Sequence, residues 1–261
     1  MIIAQISDFH VDLRVDTRVG VIDTHEQLQR AVAHVNRLRP TPEVVLITGD
    51  LTNDGTPAQY RLVKEALSEL FIPYYVIPGN HDDRQGLYDA FAEYGYLPPD
   101  AEFLQYVIDD HAVRLLALDT LIPGEEGGEL CQTRLAWLHD RLAEAPRAPT
   151  LIFMHHPPVA TGLAVFDAMA LRGADGLAAI IARHAQIEAI ICGHVHRPLH
   201  LRWQGTVVST APSVSFQYPL DMQGLEDIQP VDEPPACRVY VWDHDVGLVA
   251  HTSYIGHGGL R

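Results

Sequence analysis

The chain has 261 residues, 47% hydrophobic and 20% charged, which fits a folded globular protein with a substantial buried core. Its 18 Lys and Arg stand against 34 Asp and Glu, a formal net charge of -16 that repels nucleic-acid polymers and anionic membranes and leaves small anions, drawn in by bound cations, as candidate partners. Nothing approaches the ~20 apolar residues of a membrane span, and the three scattered cysteines, Cys131, Cys192 and Cys237, suit neither a disulfide framework nor a zinc ribbon, so a cytoplasmic protein is expected.

In chain order, Ile2 to Ile6 reads as a buried strand that ends at Ser7-Asp8-Phe9-His10; its immediate stop at Asp8 excludes a signal peptide or anchor. A helix starts at Asp23 or Thr24, with Leu28, Ala31, Val32, Val35 and Leu38 at three- and four-residue spacing and Pro40 after its end. The design repeats: strand Val44 to Ile47 runs into Thr48-Gly49-Asp50, and a helix begins near Pro57. Strand Tyr74 to Ile77 leads to Pro78-Gly79-Asn80-His81-Asp82. Apolar runs at 115–118, 151–154 and 189–192 then alternate with helical patterns near 133–142 and 177–184. Strands alternating with helices predict an α/β fold with a layered sheet. After His200 come short β segments at 201–203, 206–209, 239–242 and 248–251, separated by a Pro-, Asp- and Gln-rich loop over 212–235. With no repeat, linker or compositional break, one domain over 1–261 is expected, made of a core to residue 200 and a β-rich extension over 201–261.

Five blocks carry the chemistry: Asp8-Phe9-His10, Gly49-Asp50, Gly79-Asn80-His81-Asp82, His155-His156-Pro157 and Gly193-His194-Val195-His196. Each directly follows a predicted strand, and the carboxyl ends of strands in an open α/β sheet are where sites are assembled. The blocks offer carboxylate oxygens, imidazole nitrogens and an amide oxygen, without thiolate. That set suits manganese, iron, zinc or cobalt better than copper(I), calcium or magnesium alone. Seven potential ligands exceed the needs of one ion with an open position, so two ions sharing a carboxylate is the economical arrangement.

The ordered set D-x-H, G-D, G-N-H-D, H-H-P and G-H-x-H over residues 8–196 resembles the signature of the calcineurin-like metallophosphoesterases. The resemblance implies an αββα fold, a layered β-sandwich flanked by helices. It implies that Asp8, His10, Asp50 and His196 hold one metal, that Asn80, His155 and His194 complete a second, and that Asp50 bridges them. His81 would reach the substrate phosphate or leaving oxygen, while a metal-activated hydroxide attacks phosphorus. Asp50, Asn80 and His81 are therefore the expected catalytic residues.

Within the family, G-D-x-x-N-x-G, G-N-H-D-D, H-H-P-P, Leu118-Asp119-Thr120 and the stretch from Ser209 to Pro219 look most similar to bacterial class III cyclic nucleotide phosphodiesterases and glycerophosphodiesterases. The expected substrate is thus a small phosphodiester, and a homodimer or larger homo-oligomer is expected, with 212–235 and the terminal β segments as its interface. One position departs from the Ser/Thr phosphatase branch, where an aspartate three residues after the bridging one supports the histidine equivalent to His81. Here it is Asn53, and an amide cannot stabilise an imidazolium by charge. His81 is then either a general acid or a hydrogen-bond donor, with Asp54 or Asp82 as substitute partners.

Bland readings stand beside these. His25, His34, His111, His139, His184 and His244 read as surface or satisfied residues, and Cys192 as a small buried hydrophobe. His156 is either support for a ligand, a substrate contact or packing. Arg84 and Arg197 either contact phosphate or face solvent. The rival functions are a phosphomonoesterase of the same family, a scaffold that has lost its metals, and a nuclease. All seven ligand positions are filled, against the scaffold, and no basic stripe serves a nuclease.

Overall fold

The computed structural model describes residues 1–17, 20–224 and 228–256. In chain order it runs β1 (Ile2–Ile6), β2 (Arg14–Thr17), β3 (Gly20–Asp23), α1 (Thr24–Arg37), β4 (Val44–Ile47), α2 (Pro57–Leu67), β5 (Tyr74–Val76), α3 (Arg84–Phe91), β6 (Tyr106–Ile108) and β7 (Arg114–Ala117). Then follow α4 (Gln132–Glu144), β8 (Thr150–Phe153), α5 (Ala164–Ala168), α6 (Ala174–Ile181), β9 (Ile187–Cys192), β10 (Leu199–Trp203), β11 (Thr206–Thr210), β12 (Ala236–Asp243) and β13 (Gly247–Tyr254).

Two mixed sheets form, in the orders β13-β12-β1-β4-β5 and β10-β11-β9-β8-β7-β6, with β2-β3 as a separate hairpin. Each contains a run of parallel strands, β1-β4-β5 and β7-β8-β9-β11. Side-chain alternation sorts their residues into layers. Leu151 and Phe153 join the cluster shared with β1, β4, α1 and α2, whereas the intervening Ile152 and the following Met154 pack with α4 and α6. The result is the αββα sandwich. Gln5 ties the two sheets, donating to Thr48 Oγ1 (2.9 Å) and to the Cys192 carbonyl (2.9 Å).

Local chemistry sets the helix starts. Asp23 accepts from the His25 and Glu26 N–H groups, and Thr56 with Gln59 forms a capping box ahead of Pro57. The predicted strands and helices are present, with ends shifted by one to three residues, and 212–235 lacks a helix or strand among its described residues. The four β segments after His200 pair into both sheets: β11 beside β9, and β12 beside β1. The β2-β3 hairpin, α3, β6 and α5 were not legible, because short elements carry too few periodic positions. Among the described residues no helix is long and apolar enough to cross a membrane.

Candidate metal centre

The parallel strands deliver the five blocks to one edge of the sandwich, and backbone hydrogen bonds continue the pairing past the strand ends. Asp8 N–H donates to the Gly49 carbonyl (3.1 Å), Phe9 and His10 N–H to that of Asp50 (2.8 and 3.0 Å), and Gly193 N–H to that of His155 (3.0 Å). The turns are tight. Asp8, His10, Asp50, His194 and His196 have φ of 58°, 47°, 51°, 72° and 53°, in the left-handed region that non-glycine residues rarely enter and that marks functional sites. Gly79 lets the third block approach the second, since a Cβ there would meet Asp50 Oδ1 and N and lie 2.8 Å from Asp50 Cγ.

All seven expected ligands converge. His10 Nε2 lies 3.0 Å from His196 Nε2 and 3.6 Å from Asp50 Oδ2, and His196 Nε2 lies 3.8 Å from Asp8 Oδ1. His155 Nε2 is 3.3 Å from Asp50 Oδ2 and 3.0 Å from Asn80 Oδ1, and His194 Nδ1 is 3.1 Å from the same amide oxygen. Asp50 Oδ2 thus stands between His10 and His155, the place a bridging carboxylate requires.

The outer nitrogens fix which atoms face inward. His155 Nδ1–H donates to the Thr48 carbonyl (2.7 Å) and His196 Nδ1–H to that of Phe216 (2.9 Å), so in the neutral rings both Nε2 lone pairs point at other acceptors. Asp8 Oδ2, His10 Nδ1 and His194 Nε2 are buried without a hydrogen-bond partner. A dry cluster so rich in carboxylate, amide and imidazole acceptors favours bound positive charge, a metal ion or a proton. Burial opposes charge on His155, yet Asp50 and Asp8 raise its pKa to about 9: the anions there capture a proton if nothing else. Burial holds His10, His194 and His196 below the usual imidazole range, which keeps them neutral and competent as ligands. Among the described residues, four groups of candidate side chains have ligand atoms within 4.8 Å of one another, among them Asp8-His10-His196 and Asp8-Asp50-His155. The donor set therefore fits divalent metal ions.

His81 is exposed at the rim. Its N–H backbone group donates to Asp50 Oδ1 (2.9 Å), and its Nδ1 donates to the backbone carbonyl of Asn53 (2.9 Å). The Asn53 side chain instead donates to Asp54 (3.0 Å). Among the described residues neither expected substitute hydrogen-bonds the ring: Asp54 accepts from Gln59 (2.8 Å). Asp82 is buried as a brace, accepting from Leu51 N–H, Thr52 N–H and Oγ1–H, Tyr60 O–H and Gly79 N–H. A carbonyl orients the His81 ring without supplying a charge.

His156 is support. Its Nδ1 accepts from Thr120 Oγ1 (2.8 Å) and its Nε2–H donates to the Glu126 carbonyl (3.1 Å), and burial pushes its pKa down to about 3. Both arginines have protein partners, and Arg84 also lines a recess beside Asn80 and His81. Arg84 makes a double contact with buried Asp119 (2.6 and 3.0 Å), and Arg197 holds the Tyr218 carbonyl and Glu233 (3.0 Å). Two recesses meet at Asn80 and His81. One of about 680 Å³ is polar, lined also by Asp54, Asp83, Asp100 and Glu102. The other, about 400 Å³, joins the ligand residues to Phe166, Met169, Tyr218 and Glu126. These wall residues escaped the sequence reading because only the tertiary fold brings α5 and the 212–235 loop to the site.

Comparison with known proteins agrees with this geometry. The family model described as calcineurin-like phosphoesterase matches residues 1–198. The chain is 38% identical over 257 residues to a probable glycerophosphodiester phosphodiesterase of Arcobacter nitrofigilis, covering 98% of this chain and 94% of that one. It is 30% identical over 216 residues to a 3',5'-cyclic adenosine monophosphate phosphodiesterase of Escherichia coli strain K12, covering 83% and 77%. In fold it is similar to a dimetal phosphatase from Danio rerio, with a TM-score of 0.71 at 14% identity over 98% and 99% of the two chains.

Proposed function

Because the chain belongs to the calcineurin-like phosphoesterase family, we propose that it is a hydrolase of small phosphodiesters, of the glycerophosphodiester or cyclic nucleotide type, working with two divalent metal ions. The observation that carries the reading is the convergence of Asp50 Oδ2 on His10 Nε2 and His155 Nε2 at 3.6 and 3.3 Å, with the flanking acceptors aimed inward. Asp8, His10, Asp50 and His196 would hold one ion, and Asp50, Asn80, His155 and His194 the other. Their nitrogen and oxygen donors suit manganese, iron, zinc or cobalt. When bound, such a pair supplies an activated water and neutralises charge on the phosphoryl group.

The chain's own residues do the rest. Asp50 ties the two halves of the site, and its Oδ1 fixes the His81 backbone. The His81 Nδ1–H bond to the Asn53 carbonyl leaves Nε2 as the ring atom that meets a phosphoryl or leaving oxygen. A carbonyl rather than a carboxylate accepts from its Nδ1–H, unlike the aspartate-supported histidine of the Ser/Thr phosphatase branch. That suits a singly charged diester with a good leaving group better than a monoester dianion. Hydrolysis of bis(p-nitrophenyl) phosphate beside p-nitrophenyl phosphate, with and without added manganese, tests the proposal. A manganese-dependent preference for the diester is expected. A monoester preference with every metal tried would reverse the substrate class, and no hydrolysis of either would refute the enzyme reading.

A further inference from the structure

We propose that the Glu126 carboxylate is a specificity-determining charge filter, disfavouring phosphate groups with two negative charges and so narrowing the site to singly charged diesters. This rests on the diesterase reading above, and supplies a cause for it that the metal ligands do not contain.

The segment Glu125-Glu126-Gly127-Gly128-Glu129 carries three carboxylates with unequal fates. Glu125 pairs with Arg172 at 3.1 Å, and Glu129 with Arg134 at 3.1 Å. Among the described residues Glu126 has no ion pair; it lines the 400 Å³ recess together with His10, Asp50, Asn80, His81, His194 and His196. Among the described residues it belongs to none of the four groups of mutually close candidate ligands, so this exposed residue lines the recess beside the ligand residues without joining them. Its charge is felt at Tyr218, another wall residue, whose pKa is raised by burial first and by Asp50, Asp8 and Glu126 after it.

The backbone of Glu126 is held. Its carbonyl accepts from His156 Nε2–H (3.1 Å), and that ring is locked by Thr120 on its other nitrogen (2.8 Å). Gly128 presses on the same ring, where a Cβ would lie 2.5 Å from His156 Cγ. The second histidine of the H-H-P block is therefore a positioning residue for the loop that carries the filter. A phosphate monoester carries roughly -1.5 to -2 at pH 7, whereas a diester carries one negative charge. One added charge several ångströms from a carboxylate, at a dielectric between that of a protein surface and water, is worth about tenfold in affinity.

The test uses the metal-loaded protein and the variants Glu126→Gln and Glu126→Lys, compared at equal metal content. One readout is the ratio of kcat/KM for p-nitrophenyl phosphate to that for bis(p-nitrophenyl) phosphate. The other is the calorimetric ratio of affinities for inorganic phosphate and dimethyl phosphate. Both ratios should rise about tenfold in Glu126→Gln, rise further in Glu126→Lys, and converge on wild type at 1 M salt, as screening requires. Ratios within twofold of wild type in Glu126→Gln overturn the filter. A wild-type protein without diesterase activity would sink the functional reading, while the binding ratios still decide the role of Glu126.

Discussion

Replacing Gly79 by Ala should dismantle the site although the backbone permits the change. Gly79 does not have a positive φ, so an L residue suits its conformation and only space opposes it. The added Cβ would sit on Asp50 N and Oδ1 and 2.8 Å from Cγ, against an ordinary carbon contact of about 3.5 Å or more. The obstacle is backbone, itself held by the Phe9 and His10 N–H bonds to the Asp50 carbonyl (2.8 and 3.0 Å), so it cannot swing aside as a side-chain tip would. The Asp50 and Asn80 blocks must separate by roughly 1 Å, a misplacement that costs on the order of 10²-fold in turnover, or about 2.7 kcal/mol. Overpacking adds about 1–3 kcal/mol of lost stability, a fall in Tm of several degrees for a chain of this size. Gly95→Ala is the control: nothing lies within 4 Å of its Cβ, and its φ of +78° exacts only the left-handed penalty of about 1 kcal/mol. Metal content, calorimetric Tm and bis(p-nitrophenyl) phosphate kinetics would be measured on both. A Gly79→Ala protein within threefold of wild-type activity and with full metal content would refute the reasoning.

Asp50→Asn keeps the shape but removes the charge shared by both halves of the site, so turnover should fall by about 10³-fold or more, while His25→Ala and His139→Ala stay within threefold. Equal losses in all three, with unchanged circular dichroism, would contradict the division of the histidines. The purified protein should hold about two transition-metal ions per chain by elemental analysis, and stripping them should lower Tm, because ligands that bind only the folded state stabilise it; full activity with one ion would defeat the bridged arrangement. Burial and then Arg37 lower the pKa of His34, whose Nε2 bonds Ser253 Oγ on β13 at 2.8 Å. The unfolded chain therefore takes a proton near pH 6.5 that the folded one refuses, and this group's stabilisation is present above that pH and lost as pH falls below it. His34→Gln should flatten the stability difference between pH 8 and pH 5.5 in denaturant titrations, and an unaltered pH dependence would count against it.

The blocks that converge at the candidate metal centre were legible because their chemistry is local. D-x-H, G-D, G-N-H-D, H-H-P and G-H-x-H each sit just past a short β-rich run, and strand periodicity together with the rule that strand ends build sites sufficed to gather them. The same locality hid the partners. Whether Asn53 offers His81 its amide or its carbonyl is a matter of how one turn is rotated, and the structure presents the carbonyl. Arg84, read beside G-N-H-D-D as either a phosphate contact or a solvent-facing residue, pairs with buried Asp119, 35 residues away, at 2.6 Å. The hydrogen bonds of His156 to Thr120 and to the Glu126 carbonyl, and the absence of an ion pair for Glu126 among the described residues, appear only when β7, β8 and the 121–128 loop are packed together. The side-chain alphabet and the strand-turn grammar thus determined what could bind metal. Long-range packing, whose contacts leave no periodic trace in the sequence, decided which groups orient those ligands and which charges the substrate meets.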